Sequence, residues 1–304
     1  MRRSTSSGEI DELPASVVGA VVAAFRPGRE LLEAVEGAVG QVDIVVVVVD
    51  EHPVSEGTRD VVEACRAAGA EIVEHGSNRG IGATLNTGVD HVLASTPVVS
   101  DVLTLDQDSA LPPGYVAALL AARAAAEDAG VRVGMVAPGA VGSILRLPGR
   151  RRGEFVIGGE PIQSGLIVPV GVLQRLHGFD ESLFIDGVDT DFWLRARDLG
   201  LRCVLAPGAR LEHRLGRALT VGEGRELPLL VASTFRYHYQ WRNLVALLRR
   251  HARRHPVWSV RAVVRAARHL AIVTVLAPGR VARLREAYAG LRAGLRGDVG
   301  QRPA

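Results

Sequence analysis

Lysine is absent from all 304 residues, so every one of the 36 basic side chains is an arginine. A Schiff-base amine and a phosphate-loop ammonium are both excluded, because each needs the titratable point charge of lysine. No G-x-x-x-x-G-K-[ST] run occurs either. A GC-rich genome accounts most simply for the bias. Cysteine is nearly absent: Cys65 and Cys203 stand alone, without the Cys or His spacing of a zinc site. They are expected to fill core positions in a reducing, cytoplasmic compartment. No apolar run approaches the roughly 20 residues a membrane-spanning helix requires. The opening MRRSTSSGEIDELPAS is polar, with none of the apolar core of a signal peptide, and residues 1–15 are expected to be a disordered lead-in.

What the chain does have is apolar residues, 47% of the total, ample for a large buried core. SVVGAVVAAF (16–25) and DIVVVVVD (43–50) are continuous apolar runs, the mark of strands covered on both faces of a parallel sheet. RELLEAVEGAV between them has helical spacing. A helix over about 56–69, a strand at 71–75, a glycine-rich turn over 77–88 and a helix to Ser95 follow. The strand VLTLD (102–106) and a helix after Pro112–Pro113 complete this part. Such βαβα alternation predicts a Rossmann-like, mainly parallel α/β sheet flanked by helices, with a ligand site outside the carboxyl ends of the strands. Residues 139–162 are expected to be a mobile loop with short strands. QSGLIVPVGVLQRL reads as strand then helix, and 202–216 as strand then loop. The chain from about 226 onward reads as helical, with Pro256 and Pro278 as boundaries.

Two acidic clusters carry the chemistry. Asp106 and Asp108 lie two residues apart at the end of VLTLD, where side chains i and i+2 point to one side and can face one cation. With fifteen aspartates in the chain, such a pair also arises by chance, so its position at a strand end is what distinguishes it. Mg²⁺ or Mn²⁺ takes hard oxygen ligands of this kind and leaves room for diphosphate oxygens. The second cluster, GFDESLFIDGVDTDFWLRARDLG (178–200), packs Asp180, Asp186, Asp189 and Asp191 among bulky apolar residues ahead of a helix. Helix N-capping is the competing reading for Asp189 and Asp191.

Taken in order, the motifs resemble a family 2 glycosyltransferase of the GT-A fold. They are the strand ending in Asp50, N-R-G-I-G (78–82), D-Q-D (106–108), Ser164–Gly165, G-F-D-E-S-L-F-I-D-G-V-D (178–189) and H-R-L-G (213–216). Phe184–Asp191 with the following W-L-R-A-R, and Tyr239 with Arg242–Asn243, are most similar to the bacterial rhamnosyltransferase branch. The resemblance covers roughly residues 16–250 and implies a catalytic domain over 16–225 with a helical region over 226–304. It makes Asp189 the catalytic base of an inverting transfer, with Asp186 the competing candidate, since relatives often carry Glu-Asp where this chain has Val188–Asp189. It places Asp106, Asp108 and His213 at the metal, and Asp50, Asn78, Arg79, Gly82, Asp106 and Arg242 at the donor. Asp186, Asp191 and Trp241 fall on the acceptor side, and Arg217 is a further diphosphate contact.

The implied reaction moves a sugar, L-rhamnose from its thymidine diphosphate donor, onto a hydroxyl of a glycan or lipid-linked glycan. A transferase using a UDP-sugar and a non-catalytic nucleotide-binding scaffold are the alternatives. A sugar-nucleotide pyrophosphorylase would need the lysine this chain lacks. Residues 249–304 carry thirteen arginines against two acids. Within 257–277, Val260, Val263, Val264 and Ala267 keep helical spacing while Arg261, Arg265 and Arg268 form another face, the pattern of a basic helix lying on an anionic membrane. That would put the enzyme at the inner face of the plasma membrane. Packing on the catalytic domain with the arginines in water explains the same pattern. No recognition motif or aromatic platform supports nucleic-acid binding. The sequence leaves the oligomeric state open.

Overall fold

The protein is described here by a computed structural model covering residues 16–142, 145–146, 148–213, 218–221 and 225–302, with backbone alone at 145–146, 213, 218–221 and 225–230. The first half alternates as the apolar runs require. β1 (Val18–Ala24), α1 (Glu30–Ala38), β2 (Ile44–Val49), α2 (Glu56–Ala67), β3 (Glu71–Glu74), α3 (Ile81–Ser95) and β4 (Asp101–Asp106) form its parallel part. β5 (Ser109–Ala110), α4 (Tyr115–Asp128) and β6 (Val133–Val141) follow, then β7 (Leu145–Arg146), β8 (Gly149–Arg152) and β9 (Phe155–Gly158). β10 (Leu166–Pro169), α5 (Val170–Leu176), a single 3-10 turn (Glu181–Leu183), α6 (Val188–Asp198) and β11 (Arg202–His213) complete the sheet region. Beyond it come β12 (Ala218–Val221), β13 (Arg225–Leu230), α7 (Arg236–His251), α8 (Pro256–Leu276) and α9 (Arg280–Arg296).

The central sheet runs β3-β2-β1-β4-β10-β6-β11-β9-β8. β1 is parallel to both β2 and β4, so β1, β2 and β4 end on one edge, and Ala23 lies beside Asp106. β10 enters antiparallel between β4 and β6. Side chains divide by the two-residue period of a strand. Val18, Ala20, Val22 and Ala24 pack with α1, α2 and α4 residues on one face, while Val21 and Ala23 pack with residues of α3, α5 and α6 on the other. Both cysteines are buried and free, and burial pushes the Cys65 thiol up to about 11.

Three expectations change. The glycine-rich turn stops at Gly80, because α3 already begins at Ile81. Val133–Val141, read partly as loop, is a full strand parallel to β11. Its Gly139 misleads: a Cβ there would come within 2.8 Å of the Ala206 carbonyl oxygen, so the glycine serves close strand approach rather than a turn. Residues 225–230 form a strand paired with β12, and helix starts only at Arg236.

Candidate functional site

β4 delivers Asp106 to the carboxyl edge of the sheet. Its backbone N–H donates to Ser164 Oγ at 2.9 Å, and that hydroxyl lies 2.7 Å from Ser109 Oγ. The serine pair fixes the tight turn holding Asp108. β5, just beyond it, pairs with the end of β11 so that Ser109 lies opposite His213. The backbone register therefore brings His213 beside the Asp106–Asp108 turn; its side chain, like all of Arg217, lies outside the described residues.

The second cluster arrives from the other side of the sheet edge. The chain turns over at Phe184, Asp186 and Gly187, with φ of 61°, 66° and 87°. A backbone so bent needs outside support. Asn243 Nδ2 donates to the carbonyls of Leu183, Ile185 and Asp186 at 2.9, 2.8 and 2.6 Å. Arg242 adds a bond from Nη2 to the Leu183 carbonyl at 2.8 Å. This double clamp from α7 aims Asp186 and the first turn of α6 at the cleft. Arg236, also on α7, grips Asp186 with two N–H groups at 3.1 and 2.5 Å.

A cleft of about 640 Å³ results, with Asp106, Glu160, Asp186, Thr190 and Arg236 at one end and Trp241 among its α7 and α8 walls. Asp189 stands within this acidic group. Burial, then the negative charges of Glu160, Asp186 and Asp106, push its carboxyl up to about 7; the Thr190 N–H, donating to Oδ1 at 2.8 Å, pulls the other way. A carboxyl so poised can accept a proton near neutral pH. Glu160 is fixed by the Thr190 hydroxyl at 2.5 Å and by Arg265 at 2.9 Å.

Other residues are placed elsewhere. Asp191, expected on the acceptor side, faces away: its buried carboxylate accepts from Arg195 Nε at 2.6 Å and lies 3.0 Å from His251 Nε2. Those partners hold its pKa below the usual carboxylate range, although burial opposes them. Arg242, expected at the donor, is buried beneath the clamped turn, bound to carbonyls of Leu183 and Gly300. Asp50 spends both oxygens inside the protein. Oδ1 meets His75 Nδ1 at 2.7 Å and the Arg79 N–H at 2.8 Å, and Oδ2 accepts the Gly80 N–H at 2.7 Å. It thus anchors the entry to α3, where backbone N–H groups would otherwise lack acceptors. Asn78 makes a local turn bond, accepting the Gly80 N–H at 3.2 Å. Gly82 permits close approach to protein rather than ligand, since a Cβ there would lie 2.9 Å from the Asp180 carbonyl oxygen. Arg79 stays half-exposed, 3.5 Å from Glu181.

Sequence reasoning overlooked Glu160, Arg236, Asn243 as a clamp, and His75. Glu160 sits in a glycine-rich stretch with no motif to mark it. Asn243 was visible in its motif but not its task. For a cation, Asp106 and Asp108 supply hard oxygens of the right kind. Among the described residues no group of three or more His, Cys, Asp or Glu side chains is placed to hold one. The pair fits a metal that completes its shell with diphosphate oxygens and water. A separate hollow at the ends of β1 and β2 is lined by Arg26, Arg29, Glu51 and Thr58.

Residues 20–159 match the family model described as "Glycosyl transferase family 2". The chain is 28% identical over 141 residues to dTDP-rhamnosyl transferase RfbF of Shigella flexneri, an alignment spanning 46% of each chain, so it matches less than half of that relative's length. In structure it is similar to GalNAc-T7, solved with UDP, GalNAc and Mn²⁺, with a TM-score of 0.52 at 12% identity over 66% of this chain and 44% of that one. It also aligns with S. aureus TarS 1–349 in complex with UDP, with a TM-score of 0.48 and 14% identity over 93% of this chain and 92% of that chain. The α/β architecture is the GT-A type expected from the sequence.

Proposed function

We propose, from the match of residues 20–159 to the family 2 model, that the chain is an inverting, metal-dependent glycosyltransferase moving a sugar from a nucleoside diphosphate donor to a hydroxyl of a glycan or lipid-linked glycan. The sugar is L-rhamnose from the thymidine diphosphate donor, a reading supported by the partial likeness to the Shigella enzyme. The observation that carries the mechanism is the meeting of Asp106 with Asp189, 83 positions downstream, in one charge-coupled group beside an open cleft.

Asp189 removes the proton of the acceptor hydroxyl as its oxygen attacks the anomeric carbon from the face opposite the diphosphate. A pKa near 7 keeps about half of it ionised at neutral pH, while leaving it basic enough to take the proton. Asp186 is held by Arg236 and is less available for that role. Asp106 and Asp108 would hold the divalent cation, with His213 a third ligand, and such an ion would offset negative charge on the departing diphosphate. Trp241, on the cleft wall, offers a flat apolar face to an acceptor sugar. Arg79, half-exposed just ahead of α3, would meet the donor phosphates, a reading supported by its exposure.

Turnover assays with the thymidine diphosphate rhamnose donor and a set of UDP-sugars, each with Mn²⁺ and a lipid-linked glycan acceptor, test this reading. Release of nucleoside diphosphate from the rhamnose donor alone is expected. Turnover confined to UDP-sugars would overturn the donor assignment, and no turnover with any pair would overturn the reaction.

A further inference from the structure

A second cavity, of about 710 Å³, lies away from the acidic cleft, between α7, α9 and the residues that follow α9. Its charged lining is Arg242, Arg292, Arg296 and Arg302 against the single acid Asp298. Arg242 is occupied by carbonyls, and Arg296 and Arg302 pair with Asp298 and Glu286 at 2.6 and 2.7 Å. Among the described residues no carboxylate pairs with Arg292, whose guanidinium lies 5.9 Å from the Tyr288 ring centroid. His238 also lines the cavity. It is 6% exposed, yet its Nδ1 has no hydrogen-bond partner. That atom is closed to solvent, so Arg292 rather than His238 carries the cavity's capacity for an anion.

The cavity opens beside an apolar stripe. Val281, Leu284, Tyr288 and Leu295 lie at i, i+3, i+7 and i+14 of α9, one face of a helix, and all four are exposed. Arg283, Ala287, Gly290 and Gly294, on another face, are buried, and the stripe is left uncovered by the described residues. Arg285, Arg292 and Arg296 follow the stripe along one flank. α8 repeats the arrangement, with Val257, Val260, Val264 and Val275 exposed next to Arg261 and Arg268. No described helix is long and apolar enough to cross a membrane. An apolar row edged by arginines, with Arg292 free of any described carboxylate and Arg296 paired to Asp298, matches acyl chains below anionic headgroups, and a water-soluble anion gives no reason for the row.

We propose that α9 docks on an anionic lipid bilayer, with Val281, Leu284, Tyr288 and Leu295 entering the interface and the arginine-lined cavity taking one phospholipid phosphate. This site does not depend on the glycosyl-transfer reading, and none of the variants below touches the acidic cleft.

Flotation of the full chain with phosphatidylcholine vesicles, with and without phosphatidylglycerol at about one lipid in three, tests the assignment. Retention on the anionic vesicles only is expected. The double variant R292Q/R296Q should weaken it roughly twenty-five-fold, at about one factor of five per arginine near the surface. L284D/Y288D should abolish retention with the arginines intact. Far-UV circular dichroism confirms folding, and competition by inorganic phosphate on the unaltered protein provides a readout independent of the variants. Equal retention on both vesicles would overturn the proposal. So would phosphate binding without vesicle retention, which marks a soluble-anion site, or concentration-dependent dimerisation lost in L284D/Y288D without retention, which marks a contact between copies.

Discussion

Asp189 has a raised proton affinity because of burial and three carboxylates, of which Glu160 is announced by no motif. Burial and the charges of Glu160, Asp186 and Asp106 favour its protonated form, so the folded state holds this proton far more tightly than the unfolded chain does. Its contribution to stability is therefore full below about pH 4, the unfolded value, and fades as pH rises through about 7. Asp189→Asn cannot ionise, and its melting temperature relative to the unaltered protein should rise between pH 5 and pH 8. The same replacement should cut turnover by about 10²-fold or more while donor affinity measured by calorimetry stays constant. In the unaltered enzyme kcat/KM should climb with pH and level off above an apparent pKa of about 7, since the ionised carboxylate is the active form. A flat profile from pH 5 to 8 would remove Asp189 from the role. Asp108→Ala should raise the Mn²⁺ concentration needed for nucleotide binding, read from a metal titration at fixed nucleotide; an unchanged titration would contradict the ligand assignment.

At the scale of elements, the decisive device is the clamp by which α7 holds the turn at 183–187. Asn243 Nδ2 lies within bonding distance of three carbonyls of that turn and shares the Leu183 one with Arg242. Asn243→Ala should cost about 1–3 kcal/mol in urea unfolding, because buried acceptors lose their donor. Turnover should fall as well, since Asp186 and Asp189 lose their aim. Full activity in a destabilised variant would separate the clamp from catalysis. Here the sequence was legible only in part. The apolar runs of β1, β2 and β4 marked the strand edge, and the acidic motifs supplied Asp106 and Asp186, which line one cleft, and Asp189, which is charge-coupled to both. Asp191 misled because it shares a short acidic helix turn with Asp189, and only the rotation of α6 shows that it meets Arg195 and His251 instead. Arg242 misled for a related reason: beside Trp241 on α7, it faces the buried turn and not the cleft. Glu160 could not be read at all, because its partners Thr190 and Arg265 lie 30 and 105 positions away.

For the molecule as a whole, ligand binding should register as stability. A nucleoside diphosphate at 100 times its Kd stabilises the native state by about 2.7 kcal/mol, a rise of roughly 4 °C in Tm for a chain of this size. That rise should require Mn²⁺ and vanish in Asp108→Ala, as followed by thermal shift; an equal rise without metal would show nucleotide binding independent of the cation.

The region matched to the family ends at residue 159, one position before Glu160. A chimera that keeps residues 20–159 and takes the remainder from a relative would replace Asp189, the Asn243 turn support and the Trp241 wall with foreign counterparts. Swaps made at that junction should therefore transplant acceptor choice while the strand-edge aspartates of this chain stay behind.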